Sequence, residues 1–236
     1  MSESPPAAAR TPLWEDFLDV FIAPVELFRR RADGKFGHAL LVLMALTALA
    51  YFGTHHALQP ISDAEYARKA ATAGNLTPEQ AESSRKIVAV LGPVFLVLGM
   101  GLAAYVLGAV VWLTTRAVGG AVSYVQGATI ATFALFPRVL ETVSMGVQAL
   151  LMDESKLVSH YSVSAGLGRL VDPVHTNPIM LTLLGRVEFF TLWVTVLVAI
   201  GLRQMGRMTT GQAAAAAAIV WLVGAIPQLL QALRAG

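Results

Sequence analysis

The sequence contains no cysteine, and only 14% of its 236 residues are charged. The first absence excludes disulfides, thiolate catalysis and cysteine metal sites. The second argues against a soluble domain, which carries about 25% charged residues. Neither sign dominates. The formal charge is +2, so the sequence pI near 9.1 gives no argument for a nucleic-acid partner. Catalytic signatures are missing too. There is no Gly-x-Ser-x-Gly, no His-Glu-x-x-His and no Walker phosphate loop. Gly166-Leu167-Gly168 reads as a loop, not a dinucleotide site. His55 and His56 close one apolar run, and His160 and His175 lie in a polar stretch, without the spacing of metal ligands. These absences exclude the common enzyme classes and leave no expectation of a metal or cofactor.

What is present is apolar. Hydrophobic residues make up 56% of the chain, and mean hydropathy is +0.62. Crossing ~30 Å of hydrocarbon takes about 20 apolar residues in a helix. Five runs meet this requirement, at 36–58, 87–115, 124–152, 179–202 and 213–233. The reading is an all-α integral membrane protein with a bundle of five transmembrane helices over residues 36–236. Helix-start signals agree with the runs. Ser123 with Gln126, Thr209 with Gln212 and Thr77 with Gln80 form capping boxes, and Asn177-Pro178 makes a similar start. Proline at Pro137 and Pro227 is expected to kink the third and fifth runs.

Two further elements are expected. Ser62 with Glu65 starts a short helix that Gly74 closes, and the second long helix starts at Thr77, well before its apolar part. This predicts a helical hairpin outside the membrane over 62–86, with Gly92-Pro93 as a kink. Residues 1–12 are rich in Ser, Pro and Ala and read as a disordered tail. Residues 13–35 read as an amphipathic helix. Trp14, Phe17, Leu18, Phe21, Ile22, Val25 and Phe28 build one face, acidic residues start it, and Arg29, Arg30 and Arg31 end it. Such a helix lies in the membrane interface with its arginines near lipid phosphates, or packs on the protein's own spans. Acidic Glu15, Asp16 and Asp19 stand where a signal peptide would be basic, so the first run is expected to stay as an anchor. The arginine cluster before that run places the N-terminus in the cytoplasm and the C-terminus outside.

Several stretches resemble the Yip family of membrane proteins, named for interaction with Ypt/Rab GTPases. They are Ile22-Ala23-Pro24-Val25-Glu26-Leu27-Phe28, then Gly119-Gly120 with Ser123-Tyr124, Gln126 and Phe136-Pro137, then Phe189-Phe190-Thr191-Leu192-Trp193 with Ile200-Gly201-Leu202 and Thr210-Gly211-Gln212. The resemblance runs from about residue 20 to 225. It implies a five-span helical bundle with a cytoplasmic N-terminus. Eukaryotic members act in vesicle traffic through Rab GTPases. Only about 35 residues precede the first run here, which leaves little room for a GTPase-docking arm, so a Rab-type partner is not expected. The Ala- and Arg-rich style points to a prokaryotic-type member in a bacterial inner membrane.

The informative residues are charges inside the apolar runs. Arg138 and Glu141 lie in the third run, and Arg186 and Glu188 in the fourth. A charge at the bilayer centre costs ~2.5–3.5 kcal/mol, so these four are expected to face inward as a network. Arg138–Glu188 is the leading expected pair and Glu141–Arg186 the second. They form either a structural clamp or a proton or ion path. Small residues at four-residue spacing mark helix packing: Ala104 with Gly108, Gly127 with Ala131, and Gly211 with Ala215. They serve packing within the monomer or against an external partner. The functional expectation is a non-enzymatic membrane scaffold or accessory subunit binding another membrane protein, or a homo-oligomer. The alternative is a small-solute or ion transporter.

Overall fold

The computed structural model describes residues 13–73 and 78–235. The tail over 1–12, together with Gly74 and Thr77, lies outside the described residues, as do the side chains of Trp14 and Lys69. The described chain is helical, with no strand beyond one isolated bridge. Helices α1 (Leu13–Ile22) and α2 (Pro24–Arg30) are followed by two long ones, α3 (Gly37–Ala73) and α4 (Pro78–Ala117). Then come α5 (Tyr124–Ala134), α6 (Pro137–Leu151), a polar segment with three short 3-10 turns, α7 (Pro178–Arg186), α8 (Phe189–Met205), α9 (Thr210–Val223) and α10 (Ile226–Ala235).

Three of the helix starts form as their residues require. The Ser123–Gln126 and Thr209–Gln212 boxes close in both directions. Asn177 accepts from the Ile179 and Met180 amides, with Pro178 in the first turn. The Ser62–Glu65 start does not form. Helix α3 continues through Pro60 to Ala73, and the Ser62 hydroxyl donates to the Leu58 carbonyl inside that helix. An unbroken helix already satisfies the amides that a cap would serve. At ~1.5 Å per residue, α3 and α4 are about 55 and 60 Å long, well beyond a ~30 Å hydrocarbon layer. Their far ends stay together, with Arg85 of α4 bonded to Asp63 of α3 at 2.8 Å.

Among the described residues, four helical stretches are long and apolar enough to cross a membrane: Gly37–Arg68, Glu82–Ala117, Tyr124–Leu151 and Thr210–Leu233. The expected single span over 179–202 is instead two helices, since the backbone turns extended at Glu188 (φ −130°, ψ 140°). This leaves α8 apolar but shorter than the four.

The core forms around α5, whose residues from Gly127 to Ala134 are all buried. It packs on α4 and α8, and α3 packs on α6. The small residues set these distances. A Cβ on Gly108 would lie 2.6 Å from the Ala128 Cα, and one on Gly127 would lie 2.7 Å from the Gly108 carbonyl oxygen. Ala104 and Ala131 are buried beside them. These two pairs serve packing within the chain. Gly211 and Ala215 do not. Gly211 has nothing nearby, Ala215 is exposed, and the buried face of α9 is Ala213, Ala216, Ala217 and Val220.

The apolar face of α1 and α2 takes the second of its two expected placements, against the protein's own helices, through Phe17, Phe21 and Phe28. Phe17 stacks on Phe136 at 5.3 Å, Phe21 meets Trp193 edge-on at 5.6 Å, and Phe28 meets Phe133 at 6.3 Å. Leu18 and Ile22 point outward. The arginines expected at lipid phosphates find carboxylates on the same element. Arg29 binds Glu26, while Arg30 and Arg31 both bind Asp16, which is 1% exposed. Arg30 also reaches Asp19 at 2.5 Å. A carboxylate fixed on the adjoining helix is a nearer and better-ordered partner than a mobile headgroup.

Candidate functional site

Three helix interruptions gather the charged residues. The first separates α5 from α6. Pro137 has no N–H, and its ring opposes a carbonyl four residues back. The chain tightens there: Phe136 N donates to the Phe133 carbonyl at 3.2 Å and Arg138 N to the Leu135 carbonyl at 3.0 Å. The third interruption, at Gly224-Ala225 between α9 and α10, precedes Pro227 in the same way.

The second interruption has no proline. Between α7 and α8, the turn at Val187 and the extended Glu188 pair with the chain crossing from the polar segment. Leu167 N donates to the Val187 carbonyl at 3.0 Å, and Phe189 N donates to the Ala165 carbonyl at 3.2 Å. These bonds satisfy backbone groups that the interrupted helix leaves without partners. Gly166 makes the approach possible, since a Cβ there would lie 3.0 Å from the Glu188 Cα.

Glu188 and Arg186 serve helix ends directly, and Arg138 reaches one. Glu188 is the N-cap of α8, and its Oε2 accepts from Thr191 N at 2.8 Å. A carboxylate at a helix N-terminus is stabilised by the helix dipole. Arg138 donates to Glu141 Oε2 at 2.5 Å and to the Thr191 hydroxyl at 3.0 Å, and lies 3.9 Å from Glu188 Oε2. It therefore ties α6 to the first turn of α8. Arg186 is in the last turn of α7. It donates to the Trp221 carbonyl near the end of α9 at 2.6 Å, with its guanidinium 5.3 Å from the centre of the Trp221 ring. Two dipole C-terminal ends thus face one cation.

The expected Glu141–Arg186 pair is replaced by these contacts. Glu141 sits one turn from Arg138 and is held there. Arg186 meets no carboxylate within salt-bridge distance among the described residues. Among the described residues, three buried side-chain atoms, Arg186 Nε, Glu188 Oε1 and Trp221 Nε1, have no protein partner. Such a group costs roughly 1–3 kcal/mol.

The cluster lines a cavity of about 160 Å³ with His160, Tyr161, Ser164, Thr182 and Gln228. The polar segment that roofs it is anchored to α3 and α6. Glu65 accepts from the His160 amide at 3.0 Å and meets its ring Nδ1 at 2.8 Å. Arg68 donates to the Val158 carbonyl at 2.5 Å, and Gln148 donates to the Val163 carbonyl at 2.9 Å. Burial, then the nearby Glu65 carboxylate, pushes the Tyr161 phenol above its ordinary pKa, so it stays neutral at pH 7. The His55 and His56 rings lie 3.9 Å apart at a tilt, His160 binds Glu65 and His175 binds Asp172. Among the described residues no three His, Asp or Glu side chains form a group that could hold a metal.

Sequence reasoning missed Thr191, Asp16 and the Trp221 carbonyl. For Thr191 the signal was Glu188 immediately before an apolar run, the position of a cap. The Trp221 carbonyl carries no side-chain signal.

A family model for the Yip1 domain matches residues 18–230, almost the whole chain. The chain belongs to the Yip1-domain family. No curated protein and no solved structure matches it. With four apolar helices of spanning length, this Yip1-domain protein is an integral membrane protein. The match covers α2 through α9, so both the unbroken pair and the interrupted helices lie inside the Yip1 domain.

Proposed function

We propose that this Yip1-domain protein is a non-enzymatic membrane scaffold or accessory subunit that binds another membrane protein. The observation carrying this reading is the contrast between its charges and its surface. The intramembrane charges are engaged at helix ends, which favours a clamp over a catalytic group. Meanwhile only 11% of the residues in the most apolar stretch of α4 are buried within the chain, leaving Phe95, Leu98 and Leu102 on an open face. In this reading the chain crosses five times, through α3, α4, α5–α6, α7–α8 and α9–α10. Helix α8 has 17 residues, the low end of what a bilayer requires, and α7 adds length. The N-terminus is cytoplasmic and the C-terminus outside, in a bacterial inner membrane. Leu18 and Ile22 keep α1 at the interface.

Photo-crosslinkers placed at Phe95, Leu98 and Leu102 test the partner. The expected result is one discrete adduct with a membrane protein or a second copy, absent from probes at Leu43. Adducts with lipid alone would contradict it. Because the chain has no cysteine, single cysteines at Asp33 and Ser155 report topology directly. Labelling of both from the same side would contradict five crossings with these loops on opposite faces.

A second reading, a small-solute transporter, has one specific observation in its favour. Interrupted helices that meet around a polar cavity are a recurring substrate-site geometry in transporters. Liposome flux that depends on Glu141 or Glu188 would place this reading first.

A further inference from the structure

We infer that the cavity at the helix interruptions binds a small zwitterionic solute, of the size and charge pattern of a simple α-amino acid. The inference is independent of the scaffold reading, since a scaffold can carry a ligand pocket. It starts from the uneven placement of four charges that sum to zero. At one pole, Glu141 and Glu188 both lie on a single guanidinium, Arg138, at 2.5 and 3.9 Å. That pole has one carboxylate more than it has cations. At the other pole, Arg186 meets the Trp221 carbonyl and ring and, among the described residues, no carboxylate. That pole has a cation without an anion. The same cavity is lined by both poles.

Among the described residues, Glu188 Oε1, Arg186 Nε and Trp221 Nε1 are buried without a partner, so the protein alone satisfies neither pole fully. Glu188 and Arg186 are 5% and 9% exposed, so bulk water does not solvate either charge. A solute with an ammonium at one end and a carboxylate at the other complements both poles at once. A simple anion would leave the excess carboxylate unmatched, and a simple cation would leave Arg186 unmatched. The cavity of about 160 Å³ has room for a solute of roughly five or six heavy atoms, judged by the ~30 Å³ share of a liquid water. Gln228 and Ser164 add neutral polar groups to the lining. Its roof carries His160 and Tyr161 and is fastened by Glu65.

The test is equilibrium binding to the full chain in nanodiscs, by isothermal titration with glycine and L-alanine, with acetate and methylammonium as single-charge controls. The expected result is saturable binding of a zwitterion at least about tenfold tighter than either control. Glu141→Gln and Arg186→Gln should each weaken it by about tenfold or more. Gln228→Leu lies at the exposed mouth and tests the lining without disturbing a helix end. It should weaken binding while leaving the thermal unfolding midpoint unchanged. Binding of acetate as tight as that of glycine would overturn the proposal in favour of a plain anion site. No saturation with either amino acid up to about 10 mM would also overturn it.

Discussion

The α3–α4 pair and the α5–α10 group cross an apolar phase in different ways. Helices α3 and α4 run unbroken for 37 and 40 residues. They keep their charges at the ends, and only 33% and 11% of the residues in their most apolar stretches are buried. The later helices are interrupted three times, bring charges into their middle, and reach 50% burial in Tyr124–Leu151. Proline does not explain the difference. Pro60 and Pro93 sit inside α3 and α4 without parting them. The α7–α8 interruption has no proline at all. What distinguishes the α7–α8 and α9–α10 interruptions is a supply of partners: Glu188 for the Thr191 amide, the 165–167 segment for Val187 and Phe189, and Arg186 for the Trp221 carbonyl. Helices part where side chains and loops replace the lost hydrogen bonds.

Mutations can break this comparison. The largest effect is expected at Glu188. Glu188→Ala removes the cap and one of Arg138's two carboxylates, and should cost about 3–5 kcal/mol in thermal or denaturant unfolding. Glu188→Gln keeps an oxygen acceptor for Thr191 and should retain the cap contribution of roughly 0.5–2 kcal/mol. Exchanging Arg138 and Glu188 should not restore stability, because an arginine at 188 cannot accept from Thr191. A full rescue would show that the ion pair, not the cap, holds the interruption.

Next in size is the seam where the two regions meet. Gly108→Ala places a methyl against the α5 backbone and should cost about 1–3 kcal/mol. The smallest effect belongs to the open face of α4. Phe95→Ala and Leu102→Ala should change unfolding by no more than about 0.5 kcal/mol, yet reduce crosslinking to a partner. A large folding defect there would mean that the chain itself covers this face.

Most of the fold was legible because it follows from hydropathy and caps. Ser123, Asn177 and Thr209 start helices where the sequence places them. The split of the fourth run was not legible. Residues 179–202 have the composition of a continuous helix, and their interruption depends on a loop some 20 residues earlier in the chain folding back onto Val187 and Phe189. The amphipathic face of α1 and α2 was legible as a face but not as to its neighbour, since lipid and the Phe133–Phe136 cluster ask for the same residues. Among the charges, the approach of Arg138 to Glu188 follows from their similar depth. The partner of Arg186 does not, because a main-chain carbonyl leaves no mark on the sequence.

The account rests on the claim that Glu188 holds the start of α8. Backbone hydrogen exchange on Glu188→Ala against the unaltered protein, followed by mass spectrometry over residues 187–195 and over α3, tests it most directly. The account predicts that protection falls at Thr191 and its neighbours while α3 is unchanged. Equal protection across 187–195 in both proteins would contradict it.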